Sequence, residues 1–223
     1  MKILFLGTGA ADWTKDMKHM GFFRRNASAL IDDCLLIDPG PDVIDAMNEY
    51  NVDVKNIKYI INTHKHSDHF NEEILKYLTD NGAEYIEFDN ECEKQIGTYT
   101  VKSLKANHTI ATMHYIISNG KSRMFYGLDG AWLMYDEVLA IKENPVDFAV
   151  FDATIGFVDG DYRVFEHNNL NMVIEMKKTL SAHIKRFCIS HMARTLHDNH
   201  ESLSKDMAEH GIEVAFDGMI TEF

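Results

Sequence analysis

The segment Thr63-His64-Lys65-His66-Ser67-Asp68-His69-Phe70 constrains this chain more than any other. Four side chains able to bind a metal fall within six residues, just after Lys58–Ile61, an apolar stretch that predicts a strand. His64 and His66 are two apart, so in extended chain both side chains point the same way. Asp68 and His69 are adjacent. If the chain turns into a helix there, they swing toward a second position near the first. Imidazole with carboxylate suits zinc, manganese or iron rather than calcium. One such ion needs three or four protein ligands, so the segment reads as half of a two-metal site.

Partners for it stand in a pattern. His108 follows the predicted strand Tyr99–Leu104, Asp129 follows Arg123–Leu128, Asp152 follows Phe148–Phe151 and His191 follows Arg186–Ser190. Each lies at or beyond the carboxyl end of its strand, as His64 does, and in α/β sheets ligands gather there. Asp152 reads equally as a ligand, as an acceptor behind the ligands or as a cap. The other histidines (His19, His114, His183, His197, His200 and His210) read as surface or satisfied core residues.

The rest of the pattern is strands first, then alternation. Lys2–Leu6 is a strand. Ser28–Ile31 and Cys34–Ile37 flank Asp32-Asp33 as a hairpin. Pro41 suits the first turn of a helix running to about Tyr50. Asn71–Thr79 is an amphipathic helix, and Met113–Ser118 with Arg123–Leu128 forms a hairpin about Asn119-Gly120. Trp132–Lys142, Leu170–His183 and His200–His210 read as helices, and Ile212–Phe216 as a strand. Strands and helices mixed in this way, over 223 residues, suggest one α/β domain spanning 1–223, with two sheets and helices outside.

Composition narrows the function classes. With 35 acids against 22 bases the formal net charge is −13. Such a surface repels phosphate backbones and argues against nucleic acid as a partner. A small anionic substrate is still acceptable where metal cations reverse the local field. Cys34, Cys92 and Cys188 include no CxxC pair, which argues against a disulfide framework or thiolate zinc site and fits a reducing cytoplasm. The apolar start Ile3–Leu6 stops at Gly7-Thr8-Gly9 and reads as a first strand rather than a signal peptide. No apolar run approaches the ~20 residues of a membrane span.

The block His64-x-His66-x-Asp68-His69 after an apolar strand resembles the signature of the metallo-β-lactamase superfamily. Phe5-Leu6-Gly7-Thr8-Gly9 and the turn Leu36-Ile37-Asp38-Pro39-Gly40 are similar to it too. Four further segments look like its phosphodiesterase branch, which includes ribonuclease Z and the phosphoribosyl cyclic-phosphate phosphodiesterase of phosphonate degradation. They are Ala106-Asn107-His108, Gly127-Leu128-Asp129-Gly130, His167-Asn168-Asn169-Leu170-Asn171 and Val214–Met219.

The resemblance implies an αββα sandwich, two mixed sheets with helices on the outer faces. It implies two divalent metal ions (zinc, manganese or iron). His64, His66 and His108 would hold the first, Asp68, His69 and His191 the second, and Asp129 would bridge them. Asp38 and Asp152 would stand behind the ligands. His167 falls where the branch places a proton-donating histidine. The activity implied is hydrolysis of a small phosphodiester, cyclic ones included, by a hydroxide bridging the two ions, with Asp68 orienting it. The same chemistry could instead cleave a carboxylic ester, lactone or thioester, and a non-catalytic metal-binding protein is the remaining alternative. A homodimer is compatible with folds of this kind. Two departures bear on substrate. Asp12–His19 contains no cysteine where the phosphonate enzyme has a structural zinc site, and no long basic arm of the ribonuclease Z kind is present. Arg24-Arg25 reads either as a surface salt bridge or as a clamp, with Arg25 binding a second phosphate or carboxylate of the substrate.

Overall fold

The structure is a computed structural model that describes residues 1–20 and 22–223. The chain resolves into two compact units, residues 1–89 with 216–223, and residues 90–215.

The first unit carries a six-stranded sheet. Its strands are β1 (Lys2–Gly7), β2 (Ser28–Ile31), β3 (Leu35–Ile37), β4 (Tyr59–Ile61), β5 (Glu84–Tyr85) and, from the far end of the chain, β13 (Ile220–Glu222). The order is β13-β1-β2-β3-β4-β5. The hairpin expected at Asp32-Asp33 is present, with Leu30 opposite Leu36, and both aspartates take the left-handed backbone that tight hairpin turns require. After β3 the pattern changes. Helices α1 (Val43–Glu49) and α2 (Glu72–Asp80) carry the chain across, so β3, β4 and β5 run parallel. Val43, Ala46 and Met47 recur at helical spacing and join Leu4, Leu6, Leu30, Leu36, Ile60 and Leu78 in one apolar cluster. Asn71 caps α2, its Oδ1 accepting from the backbone N–H of Glu73 and Ile74.

The second unit repeats the plan. Strands β6 (Glu93–Ile96), β7 (Tyr99–Lys105), β8 (Met113–Ser118) and β9 (Arg123–Gly127) form an antiparallel meander. Then α3 (Tyr135–Glu143), α4 (Leu170–Leu180) and α5 (His200–Glu209) alternate with β10 (Val146–Asp152), β11 (Ile184–Ser190) and β12 (Ile212–Val214), all parallel to β9. The order is β12-β11-β10-β9-β8-β7-β6. Val173, Ile174 and Leu180 of α4 and Leu203 and Met207 of α5 pack with Phe125, Phe151, Phe187 and Ile189 of the sheet.

Two helix expectations are corrected. The third helix begins at Tyr135, not Trp132, because Trp132 has φ 59 and cannot join a right-handed helix. The fourth ends at Leu180, short of His183. Strands β6 and β13, both at sheet edges, carry too little apolar alternation to be read from sequence. Among the described residues no helix is long and apolar enough to cross a membrane.

His114 on β8 is a core residue, as expected, but an ionic one. Its Nδ1 lies 2.6 Å from Oε1 of Glu137, both side chains are buried, and Oε2 of Glu137 accepts the N–H of Met134 to cap α3. Burial opposes the His114 cation, yet the Glu137 carboxylate and its hydrogen bond raise the imidazole above its ordinary 6.5. Glu137→Ala should cost on the order of 3–5 kcal/mol, because it leaves a buried charge without its partner. A raised folded-state value means that the stabilisation is complete below 6.5 and is lost as pH climbs through the raised value. Urea midpoints should therefore drop more steeply with rising pH in the wild type than in Glu137→Gln. Parallel curves would remove the pair from the explanation.

Candidate functional site

In the first unit the loop after β4 folds against the turn after β3. Asp38 follows β3 with φ 63 and is wholly buried. Its Oδ1 accepts from the Thr63 backbone N–H (2.6 Å), from Asn62 Nδ2 (2.9 Å) and from Thr63 Oγ1 (2.9 Å). Its Oδ2 accepts from His69 Nδ1 at 2.9 Å. His64 Nδ1 meets Thr63 Oγ1 at 3.0 Å. Each Nδ1 thus carries the proton, and His64 and His69 present Nε2 as the electron-pair donor. His69 Nε2 lies 3.4 Å from Asp68 Oδ2, and His64 Nε2 lies 2.9 Å from His66 Nδ1. Ligand atoms on a tetrahedral ion with bonds near 2.0–2.1 Å stand about 3.3 Å apart. Gly40 is required here, because a Cβ at that position would come within 2.4 Å of the Asp68 carbonyl oxygen.

In the second unit Asp152, the last residue of β10, does what Asp38 does. Its Oδ1 accepts from the N–H of Thr154 and Asn168, both at 3.0 Å. Its Oδ2 accepts from Thr154 Oγ1 (3.0 Å), His167 Nδ1 (2.9 Å) and the Asp129 N–H (3.2 Å). Thr154 Oγ1 also receives His191 Nδ1 at 2.8 Å, which turns His191 Nε2 to within 3.3 Å of Asp129 Oδ2. His108 donates Nδ1–H to the Glu166 carbonyl at 3.1 Å. Ligand-type atoms of Asp129, Asp152, His167 and His191 lie within 4.8 Å of one another. Burial would raise the Asp152 carboxyl, but the charge and hydrogen bond of His167, with His191 adding, hold it well below the ordinary carboxylate range. Burial likewise opposes a His167 cation, and Asp152 then Asp129 outweigh it, so His167 is raised.

Within the first unit the structure brings together His64, His66, Asp68, His69 and Asp38. Within the second it brings together His108, Asp129, Asp152, His167 and His191. The donor chemistry fits divalent transition metals, since His64, His69, His108, His167 and His191 have Nδ1 fixed by a neighbour and the carboxylates stand at ligand spacing. Arg25 is engaged within the first unit. Its guanidinium is buried in an ion pair with Glu49 and a hydrogen bond to Tyr50 Oη (2.9 Å), while Asp217 accepts its backbone N–H. The Asp217 bond ties the C-terminal segment to the Gly7–Gly9 turn, where Thr8 Oγ1 also donates to Asp217, and the ion pair with Glu49 is the salt bridge that the sequence offered beside the clamp. Thr63, Thr154 and Asn168 were not singled out by sequence. Thr63 stands beside His64 and Asn168 beside His167, whereas Thr154 has no such neighbour to mark it.

The family described as Anti-Pycsar protein Apyc1 matches over residues 1–79. No curated protein matches. Among solved structures the chain is similar to the metallo-β-lactamase fold protein YhfI from Bacillus subtilis. That match has TM-score 0.79 and 16% identity, covering 100% of this chain and 99% of the other. A diphosphatase of the PhnP family gives TM-score 0.74 and 17% identity, covering 100% and 97%. The short form of human tRNase Z gives TM-score 0.72 and 16% identity, covering 100% and 99%. The chain has the metallo-β-lactamase fold. The fold class expected from the histidine block therefore stands, and its likeness extends to PhnP-family and tRNase Z structures.

In this metallo-β-lactamase fold the buried hydroxyl of Thr154 serves three partners at once. Thr154→Val keeps the shape and removes the hydroxyl from Asp152, His167 and His191. Metal affinity measured by chelator competition should fall about 10- to 100-fold, the usual effect of losing such support, with Thr154→Ser close to wild type. Unchanged affinity in Thr154→Val would deny the hydroxyl that role.

Proposed function

We propose that the chain is a metal-dependent hydrolase of small phosphodiesters, cyclic ones included, acting in the cytoplasm. The proposed ligands are His64, His66, Asp68, His69, His108, Asp129 and His191, holding two divalent ions (zinc, manganese or iron). When bound, such a pair supplies an activated water at neutral pH and positive charge opposite the phosphoryl oxygens.

The observation that carries the reading is the sharing of Asp152. One buried carboxylate holds the Asp129 N–H, supports His191 through Thr154, and takes Nδ1–H of His167 at 2.9 Å. His167 is not among the proposed ligands, so the last contact serves a purpose besides holding metal. It fixes His167 with its proton on Nδ1 toward Asp152 and leaves Nε2 for a proton that a departing alkoxide must receive. Asp68, beside His69, orients the attacking water, and Asp129 sets the spacing of the ligands around it. The names of two similar structures, a diphosphatase and a tRNase, lean toward phosphorus rather than carbonyl carbon.

The assay is turnover of bis-(p-nitrophenyl) phosphate by metal-loaded and chelator-treated protein, beside a panel of lactones and thioesters. Turnover of the phosphodiester only when loaded is expected, and turnover of the panel alone would move the reading to carbonyl substrates. His167→Ala should slow diesters with alkoxide leaving groups by about 10²- to 10⁴-fold and nitrophenyl esters far less. Equal losses on both would take the proton-donor role from His167.

A further inference from the structure

Trp132 is an exposed indole on a backbone that no bulky residue prefers. Its φ is 59, in the left-handed region, and the residue is 47% exposed. The surroundings hold it there. The Trp132 N–H donates to Asn168 Oδ1 at 2.7 Å. The preceding residue, Ala131, donates its N–H to the Asn107 carbonyl (3.0 Å) and accepts from Asn107 Nδ2 (3.3 Å). Asn107 precedes His108. Asn168 follows His167 and donates its own N–H to Asp152. Asp129 lies three residues upstream and is left-handed too. One indole is thus fixed by its backbone to the three loops that carry His108, Asp129 and His167.

The fold makes little use of the indole. The neighbouring Leu133, not Trp132, packs against the apolar cluster of this unit. Glycine would adopt the same backbone without strain. Strain held in place by tight surroundings, on a side chain turned to solvent, points to a function for that side chain.

We propose that Trp132 determines specificity by stacking on a flat aromatic or heteroaromatic ring carried by the alcohol part of the substrate. This rests on the phosphodiester reading for the position of the substrate. With a net charge of −13 the chain gains from recognising the uncharged part of an anion, and an indole face is sequence-tolerant toward any π system. A second copy of the chain is the competing occupant, because Met134 and Tyr135 are exposed beside Trp132.

The test compares phenyl p-nitrophenyl phosphate with ethyl p-nitrophenyl phosphate, which share a leaving group. Stacking contributes about 5- to 150-fold per ring. Trp132→Ala should lower the phenyl-over-ethyl ratio of kcat/KM about tenfold, through KM, while Trp132→Phe keeps most of it. Trp132→Gly should lose the ratio as fully without a lower melting temperature, an outcome that a merely structural role would reverse. A ratio unchanged in Trp132→Ala, or a change confined to sedimentation mass, overturns the proposal. Binding gives a second readout. Trp13 is buried, so iodide quenching of the wild type reports Trp132, and phenyl phosphate should protect it where ethyl phosphate does not. Protection without turnover of either diester would retire the phosphodiester reading and keep the stacking role. Turnover without protection would do the opposite.

Discussion

Two buried carboxylates organise the polar interior of this chain. Asp38 and Asp152 are each 0% exposed, a state an ionised group reaches only when hydrogen bonds replace its water. Asp152 accepts from five donor groups and Asp38 from four, with backbone N–H groups among the donors in each case. Those donors are themselves the supports of the candidate ligands. An error in either carboxylate would therefore propagate to an imidazole tautomer, to a loop and to a strand end together.

Both carboxylates stand at the end of a parallel strand, and that follows from topology. Each unit begins as an antiparallel meander and finishes as strand–helix crossovers. A crossover leaves its strand by a short loop whose backbone groups are not paired in the sheet, so a carboxylate there can collect them. Asp38 collects from the loop after β4, and Asp152 from its own loop and from the start of α4. Their neighbours in sequence, the apolar strands β3 and β10, are buried and rigid, which suits a group that must hold others in register.

Much of this was legible in the sequence because it is local. The spacing within His64–His69 states its own geometry, and His191 and Asp129 are marked by the apolar strands before them. Asp152 was open between three roles because a carboxylate after a strand looks alike in all of them. The difference lies in His167 and Asn168, 15 and 16 residues away. Thr63 and Thr154 were invisible for a related reason, since a threonine hydroxyl acquires its role only from what folds around it. Arg25 is open between salt bridge and clamp because its guanidinium partners, Glu49 and Tyr50, stand 24 and 25 residues away with nothing in the sequence to mark them. Trp132 reads as a helix start because side-chain periodicity carries no information about φ.

The places where local rules fail are also informative as a set. Asp38, Asp129, Trp132 and His191 have φ between 58 and 63, although none is glycine. For L-residues that conformation costs roughly 1–2 kcal/mol each, and only interactions elsewhere can offset it. Three of the four are candidate ligands or their supports, each at or just beyond a strand's carboxyl end. A left-handed residue there reverses the chain direction within one position, so the side chain can leave the sheet axis, and at Asp129 the backbone N–H turns toward the Asp152 carboxylate. At Asp38 and Asp129 the strain and the hydrogen-bond hubs meet, whereas Trp132 shares the strain and binds no hub with its side chain, which is why a role for its indole is sought outside the fold.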